Sequence, residues 1–191
     1  MSPEAPARLA VLLSGSGRTL LNLLDAIGRG ELLARIPLVI ASRECLGAQR
    51  ARDAGLTTLV IPGEIPAERL GAILAEHRID WAVLAGYLRL VQIPPPFEGR
   101  IVNIHPALLP DFGGKGMHGD HVHAAVLAAG RAESGCTVHL VDPVYDHGRI
   151  LAQARVPVLP GDDVRTLADR VFAAECRLYP AALQQLINTT G

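Results

Sequence analysis

Short apolar runs alternate with amphipathic stretches along the whole chain. The run Leu9–Leu13 is followed by a polar turn and then by a stretch in which Leu20, Leu23, Leu24 and Ile27 recur at helical spacing. This alternation is typical of βαβ units and predicts an α/β fold with one doubly wound, mostly parallel, Rossmann-like sheet. Up to residue 105 the pattern predicts strands at Leu9–Leu13, Pro37–Ala41, Thr57–Ile61, Trp81–Ala85 and Ile101–His105, and helices after Gly17 and over Leu46–Ala54 and Pro66–His77.

The last third of the chain has a different pattern. The segments Cys136–Val141 and Ile150–Val158 alternate between apolar and polar residues, which predicts an antiparallel pair of strands at the sheet edge. A helix is expected over His121–Ala129. We also expect a long C-terminal helix, capped at its start by Asp162 or Asp163.

Composition narrows the class of protein. With 191 residues, 49% apolar and 19% charged, the chain suits one globular domain over residues 1–191. A net charge of −1 indicates no nucleic-acid partner. The sequence has no apolar run long enough to span a membrane, no basic leader and no paired cysteines, so we expect a cytoplasmic protein with reduced thiols. Lys115 is the only lysine, and nothing in its glycine-rich loop would desolvate it for Schiff-base chemistry.

The turn after the first strand contains Gly15 and Gly17, followed by Arg18 and Thr19. Glycines between a strand and a helix let backbone N–H groups approach an anion at the helix N-terminus. The sequence is not a Walker loop, and the third glycine of a dinucleotide fingerprint is replaced by Leu20. Two interpretations stay open, a plain strand-to-helix turn and a phosphate cradle.

Three polar residues are candidates for carbonyl chemistry. Asn103 and His105 lie two apart at the end of a predicted strand, so their side chains share a face, and an amide beside an imidazole suits the stabilisation of an oxyanion. Asp146 lies in a turn before Gly148. If that turn folds over His105, its carboxylate can hold the imidazole cationic and accept protons. The alternatives are a structural histidine and a solvated turn.

A cluster of three histidines, His118, His121 and His123, follows the long glycine-rich loop 106–119. Their spacing matches no common zinc pattern, and His121 and His123 point to different faces of a helix. We therefore expect no metal, and interpret the cluster as the polar wall of an active site or as a solvated helix start.

Together these motifs resemble the glycinamide ribonucleotide formyltransferase family, over about Leu9 to Ile187. The resemblance rests on motifs that occur in family order: Ser14-Gly15-x-Gly17, Val83–Arg89, Asn103-Ile104-His105-Pro106-x-Leu108-Leu109-Pro110, His121-x-His123, Thr137-Val138-His139, Asp146-x-Gly148 and Glu175-x-x-x-Tyr179-Pro180.

In that family the amine of glycinamide ribonucleotide attacks the formyl carbon of the co-substrate 10-formyltetrahydrofolate. The resemblance implies that Asn103 and His105 bind the formyl oxygen, while Asp146 positions a water, supports the imidazolium and shuttles the proton. It implies small-molecule substrates, no metal, and a monomer or homodimer. The other implied positions are Gly15, Ser16, Gly17, Arg18 and Thr19 at the phosphate, Glu175 at the ribose, Arg89, Leu90, Val91, Leu140, Val141, Asp142 and Val144 at the folate, and His121 and His139 in support.

The sequence departs from the family pattern at four places. Arg18-Thr19 replaces the usual Ser-Asn, the segment Gly63–Arg69 is shorter, the loop Gly113–Gly119 is longer, and Arg149 follows the Asp146 turn where proline is common. The shorter segment leaves the partner of the folate glutamate tail unassigned.

Relatives with the same three polar residues hydrolyse formyltetrahydrofolate, or formylate methionyl-tRNA or a nucleotide sugar. The hydrolase typically adds an N-terminal regulatory domain and the tRNA enzyme a C-terminal domain, and we expect no room for either in this chain. A non-catalytic nucleotide-binding module would not need Asn103, His105 and Asp146 together.

Overall fold

The computed structural model describes residues 5–190, with Thr190 described by its backbone alone. Seven strands and five α-helices occur in that part of the chain, along with a short 3₁₀ turn at Pro95–Phe97. In chain order they are β1 Ala7–Leu13, α1 Arg18–Gly28, β2 Ala34–Ala41, α2 Leu46–Asp53, β3 Thr58–Val60, α3 Ala67–Glu76, β4 Trp81–Leu84, β5 Ile101–His105, α4 Asp120–Ala128, β6 Glu133–Leu140, β7 Ile150–Pro157 and α5 Val164–Thr190.

The strands form one sheet in the order β3-β2-β1-β4-β5-β6-β7. The first five strands are parallel, and β6 and β7 pair antiparallel at one edge. This confirms the predicted fold class, including the antiparallel edge and the long C-terminal helix. At that helix, Asp163 is the cap, because the backbone N–H of Thr166 donates to Asp163 Oδ1 at 2.8 Å.

Several predicted strand ends were wrong, and pairing explains the differences. β2 begins at Ala34 rather than Pro37 because Ala34 pairs with Ala7. β6 begins at Glu133 rather than Cys136 because Glu133 pairs with Pro157 of the edge strand. In both places the pairing with the neighbouring strand continues beyond the apolar run from which the strand was predicted.

The core has two layers, one on each face of the sheet. In β1 the residues Leu9, Val11 and Leu13 pack on the side of α1 and α5, while Ala10 and Leu12 pack on the side of α3. All five are completely buried. A strand that is apolar on both faces lies in the centre of a doubly wound sheet, where helices cover both sides.

The strand order reverses between β1 and β4, so a crevice opens at their carboxyl ends. The turn after β1 enters α1 through Gly17, which has a φ of +76°. A Cβ at Gly17 would lie only 2.6 Å from the Cα of Gly47 in α2, so this close approach of two helix starts requires glycine.

Tyr179 connects α5 by hydrogen bonds to the strands that end at this crevice. Its ring is completely buried, and its hydroxyl donates to the carbonyl oxygens of Leu84 at 3.0 Å and Val102 at 3.1 Å. The bond therefore fixes the long helix against the end of β4 and the middle of β5.

We predict that Tyr179→Phe lowers the free energy of unfolding by about 1–3 kcal/mol, because it leaves two buried carbonyl oxygens without this donor. Urea unfolding followed by circular dichroism measures the change. Tyr145→Phe, which removes a hydroxyl from a partly exposed loop tyrosine, is the control. Equal unfolding midpoints for Tyr179→Phe and the natural protein would contradict the prediction.

Candidate active site

A cavity of about 920 Å³ opens at the carboxyl ends of β4 and β5. Its walls come from the start of α1, the loops after β4, β5 and β6, and one face of α5. Thirteen of the site positions that the family resemblance implies line it: Arg18, Thr19, Arg89, Leu90, Val91, Asn103, His105, His139, Val141, Asp142, Val144, Asp146 and Glu175.

The three predicted polar residues meet at the bottom of the cavity. Asp146 Oδ2 lies 3.4 Å from His105 Nδ1, and Asn103 Nδ2 donates to Asp146 Oδ1 at 3.3 Å. The backbone N–H of Gly114 donates to Asp146 Oδ2 at 3.0 Å. The turn that carries Asp146 therefore folds over the end of β5. This is the condition under which Asp146 could act together with His105.

Strand register explains why His139 joins this cluster. Asn103 of β5 pairs directly with His139 of β6, and the Asn103 amide nitrogen donates to His139 Nε2 at 3.1 Å. His139 is almost fully buried and lies 3.6 Å from Asp146 Oδ1. Leu140, predicted to contact folate, does not line the cavity. It points to the opposite face of β6 and packs against the α5 side of the core.

Two glycines allow the loops to close over Asp146. A Cβ at Gly113 would lie 2.6 Å from Leu109 Cδ2 and 3.1 Å from the Cβ of Asp146. A Cβ at Gly148 would overlap the carbonyl oxygen of Leu140. Asp146 itself has a φ of +53°, an uncommon conformation that aspartate tolerates better than most residues. The carboxylate thus reaches the cluster only because both neighbouring segments have no side chain in the way.

Both ring nitrogens of His105 face hydrogen-bond acceptors. Nε2 donates to the carbonyl oxygen of Phe112 at 2.8 Å, and Nδ1 faces Asp146. Burial nevertheless lowers the pKa of His105 below its ordinary value, and the opposing effects of Asp146 and the Phe112 carbonyl do not overcome it. The expectation that Asp146 supports an imidazolium stays a prediction: burial disfavours the cation, and the carboxylate beside Nδ1 favours it.

Asp146 is the charged member of the cluster. Burial on its own raises the pKa of the carboxyl, but the neighbouring imidazoles of His139 and His105 and the N–H of Gly114 together lower it below its usual range. Asp146 is consequently an ionised carboxylate at neutral pH, held in a largely buried position.

The α4 histidine at the cavity is His123, and His121 lies outside. His121 is exposed and its ring makes an edge contact with His118, whereas His123 is 5% exposed and lines the cavity. Its Nδ1 has no hydrogen-bond partner among residues 5–190. The sequence carried a signal for this, because His123 shares a helix face with the core residue Val126, three positions on.

The other end of the cavity is the start of α1. The first backbone N–H groups of a helix have no partner within it, and here they belong to Arg18 and the residues that follow. The guanidinium of Arg18 stacks 3.8 Å from the ring centroid of Phe172 and lies 3.6 Å from Asp169. Gly15, Ser16 and Gly17 form the turn beside this point but do not line the cavity.

Glu175 of α5 lines the cavity near Arg18, and the charges of the two side chains interact. Burial raises the pKa of its carboxyl to about 7, and the charge of Arg18 opposes that shift only in part. Titratable groups with strongly shifted pKa values concentrate at functional sites, so this carboxyl marks the Arg18 end as a second polar region.

The same cavity contains an apolar cleft that sequence reasoning identified only in part. Val91, Val141 and Val144 were predicted, and the structure adds Tyr87, Leu88 and Tyr145. The loop from Gly114 to Asp120, predicted as a loop without an assigned function, forms another wall. Val144 and Leu88 are 58% and 41% exposed, so this cleft presents large apolar side chains to solvent.

No group of three or more His, Cys, Asp or Glu side chains is arranged to hold a metal ion in residues 5–190. Over the same range, every helix is too short or too polar to cross a bilayer.

The fold and the site define the class: an α/β protein in which an amide, an imidazole and a carboxylate converge in a cavity at the carboxyl ends of the parallel strands. The chain belongs to the formyl transferase family, whose model matches residues 7–183.

Individual relatives extend over almost the whole chain. It is 43% identical, over 96% of its length, to phosphoribosylglycinamide formyltransferase of Mycobacterium tuberculosis, and covers 86% of that protein. It is 41% identical over 94% of its length to the chloroplastic phosphoribosylglycinamide formyltransferase of Vigna unguiculata, of whose length it spans only 60%. Glycinamide ribonucleotide transformylase 1 of Symbiobacterium toebii has a similar structure, with a TM-score of 0.87, 36% identity and coverage of 99% of this chain and 94% of that one.

We predict that Asp146→Asn lowers the pKa of His105 further, because the carboxylate is the main group that raises this pKa against the effect of burial. Titration of the ring Cε1–H signal by nuclear magnetic resonance measures the pKa directly. Asp142→Asn removes a carboxylate from the same cavity without touching His105, and serves as the control. An unchanged or higher pKa of His105 in Asp146→Asn would show that the two groups are not coupled.

Proposed function

We propose that this protein transfers the formyl group of 10-formyltetrahydrofolate to the amine of glycinamide ribonucleotide, a step of purine biosynthesis. The observation that carries the proposal is the Asn103–His105–Asp146 cluster, which lines one cavity together with Arg18 and an apolar cleft. The similar proteins of Mycobacterium tuberculosis and Symbiobacterium toebii are named for the same substrate, which supports the proposal.

The cavity has a suitable region for each part of the two substrates. The phosphate would bind the free N–H groups at the start of α1 and the guanidinium of Arg18, where the helix dipole also favours an anion. Glu175 would accept hydrogen bonds from the ribose hydroxyls. The flat, largely apolar pterin would lie against Val91, Val141 and Val144.

In this arrangement the substrate amine attacks the formyl carbon, and the carbonyl π electrons move onto oxygen. Asn103 and His105 donate hydrogen bonds to the resulting oxyanion. Asp146 accepts a proton from the attacking nitrogen, directly or through a water, and returns a proton to N10 as the bond from the formyl carbon to N10 breaks. The products are the formamide of the substrate and tetrahydrofolate.

The donors of the proposed oxyanion site already have partners within the protein. Asn103 Nδ2 donates to His139 and Asp146, and His105 Nε2 donates to Phe112. We propose that the formyl oxygen replaces these acceptors when 10-formyltetrahydrofolate binds. The long 3.3 Å bond from Asn103 to Asp146 is the weakest of the three and the first that we expect to be exchanged.

The remaining properties follow from the same proposal. We infer a single catalytic domain that acts on small molecules, as a monomer or homodimer in the cytoplasm, with 10-formyltetrahydrofolate as co-substrate and no metal. The near-neutral net charge of −1 supports small-molecule partners over nucleic acid.

The direct test is to mix purified protein with 10-formyltetrahydrofolate, with and without glycinamide ribonucleotide, and follow the formyl group. The proposal requires that loss of the formyl group depends on the amine. Equal loss without the amine would indicate a hydrolase, and no loss in either mixture would indicate a binding protein.

We predict that His105→Ala and Asp146→Ala each lower kcat by at least ~10²-fold, the scale of losing an oxyanion donor or a proton-transfer group. His121→Ala, on the same helix as the cavity histidine but exposed, is the matched control and should keep its kcat. Circular dichroism checks the fold of each variant. Near-normal kcat in a folded His105→Ala or Asp146→Ala protein would reject the mechanism.

A further inference from the structure

The ring of His123 on α4 has no hydrogen-bond partner for either of its nitrogens among residues 5–190. Nδ1 is completely buried. Nε2 is unpaired as well but keeps some accessible surface, and the residue lines the main cavity. Because buried polar groups are nearly always hydrogen-bonded, a nitrogen left open at a cavity indicates a partner within that cavity.

The charge state of His123 makes it a hydrogen-bond donor. Burial lowers the pKa of the ring, and the nearby carboxylate of Asp120 opposes this effect only in part. The ring is therefore neutral at neutral pH and carries a single N–H. A proton on Nε2 can be accepted by a bound molecule, whereas a proton on Nδ1 would be buried without an acceptor, so the favoured form presents Nε2–H to the cavity.

The position of α4 shows on which side of the sheet His123 lies. Val126, three residues further along the helix, packs in the part of the core that faces α1 and α5, and α4 itself packs against α5. Arg18 of α1 and Glu175 of α5 line the cavity from this side. His123 therefore belongs to the wall at which the proposed function puts the phosphate and the ribose.

His123 is also close to the proposed reaction centre. The rings of His123 and His105 are near enough for their charges to interact. Ile104 packs on the α5 side of the sheet, so the next residue, His105, points to the other face of β5. His123 thus approaches His105 from the side of the ribonucleotide and not from the apolar cleft.

We propose that Nε2–H of His123 donates a hydrogen bond to the carboxamide oxygen of glycinamide ribonucleotide, a role that rests on the function proposed above. In that molecule the carboxamide joins the ribose to the carbon that carries the amine. The ribose would lie near Glu175 and the amine near His105, so a donor on the α5 side that approaches His105 meets the group between them. The bond selects amines with a carbonyl on the adjacent carbon over simple amines.

Calorimetry with glycinamide ribonucleotide in the absence of folate measures this contact. His123→Leu should weaken binding at least ~5-fold, because the carboxamide oxygen loses its donor. Ribose 5-phosphate has the same phosphate and sugar but no carboxamide, so its affinity should not change. Equal losses for both ligands, or no loss for either, would overturn the proposal.

Two polar variants test the position of the donor. The amide nitrogen of His123→Gln reaches about as far as Nε2, so this variant should keep most of the affinity for the ribonucleotide. His123→Asn ends near the position of Nδ1 and should lose affinity as His123→Leu does. His121→Leu, the same apolar change at an exposed residue of α4, is the matched control. Equal affinities in the Gln and Asn variants would contradict the proposal, and this comparison decides it even if His123→Leu does not fold.

Steady-state kinetics separate binding from chemistry. A contact made equally in the ground state and the transition state changes KM alone, so His123→Leu should raise the KM for the ribonucleotide at least ~5-fold and leave kcat and the KM for 10-formyltetrahydrofolate nearly unchanged. A fall in kcat of ~10²-fold would place His123 in the chemistry and overturn its assigned role.

The natural protein tests the proposed function separately in the same assay. If it forms no formylated product, both proposals are wrong. If it forms the product and His123→Leu has the same KM for the ribonucleotide, only the role of His123 is wrong.

Discussion

One buried carboxylate organises this molecule. Asp146 accepts hydrogen bonds from the Asn103 amide and the Gly114 backbone and lies against the rings of His105 and His139. Burying a charge is unfavourable unless donors surround it, so the segments that supply those donors must all be in place at once. The end of β5, the loop after it and the turn between β6 and β7 are therefore fixed relative to each other by a single ionised group.

The sheet makes this convergence possible. The antiparallel register of β5 and β6 sets His139 opposite Asn103, and the parallel strands leave a crevice beside them where helix α1 begins. Burial lowers the pKa of His105, which favours the neutral ring at neutral pH, whereas Asp146 is ionised because its pKa is also lowered. The ring can therefore donate a hydrogen bond, and the carboxylate can accept a proton. For the proposed transfer, the Asn103 and His105 donors would exchange their present acceptors for the formyl oxygen.

Local pattern predicted a large part of this structure. The bounds of β5 followed from its apolar run, and Asn103, His105 and Asp146 could be paired through the family resemblance. Residues whose placement depends on tertiary packing were harder to predict. Leu140 was assigned to the cavity from a continuous range, although the alternation of a strand turns it to the other face. His121 was chosen over His123, although the apolar face of α4 favours His123.

The central claim is that the Asp146-centred cluster polarises a bound formyl carbonyl. Difference infrared spectroscopy of 10-formyltetrahydrofolate bound without the amine measures this directly, because hydrogen bonds to a carbonyl lower its stretching frequency. With the natural protein we predict a formyl band at lower frequency than in water, and a return toward the water value in Asn103→Ala. A band at the same frequency in both proteins, with the donor bound to each, would contradict the account.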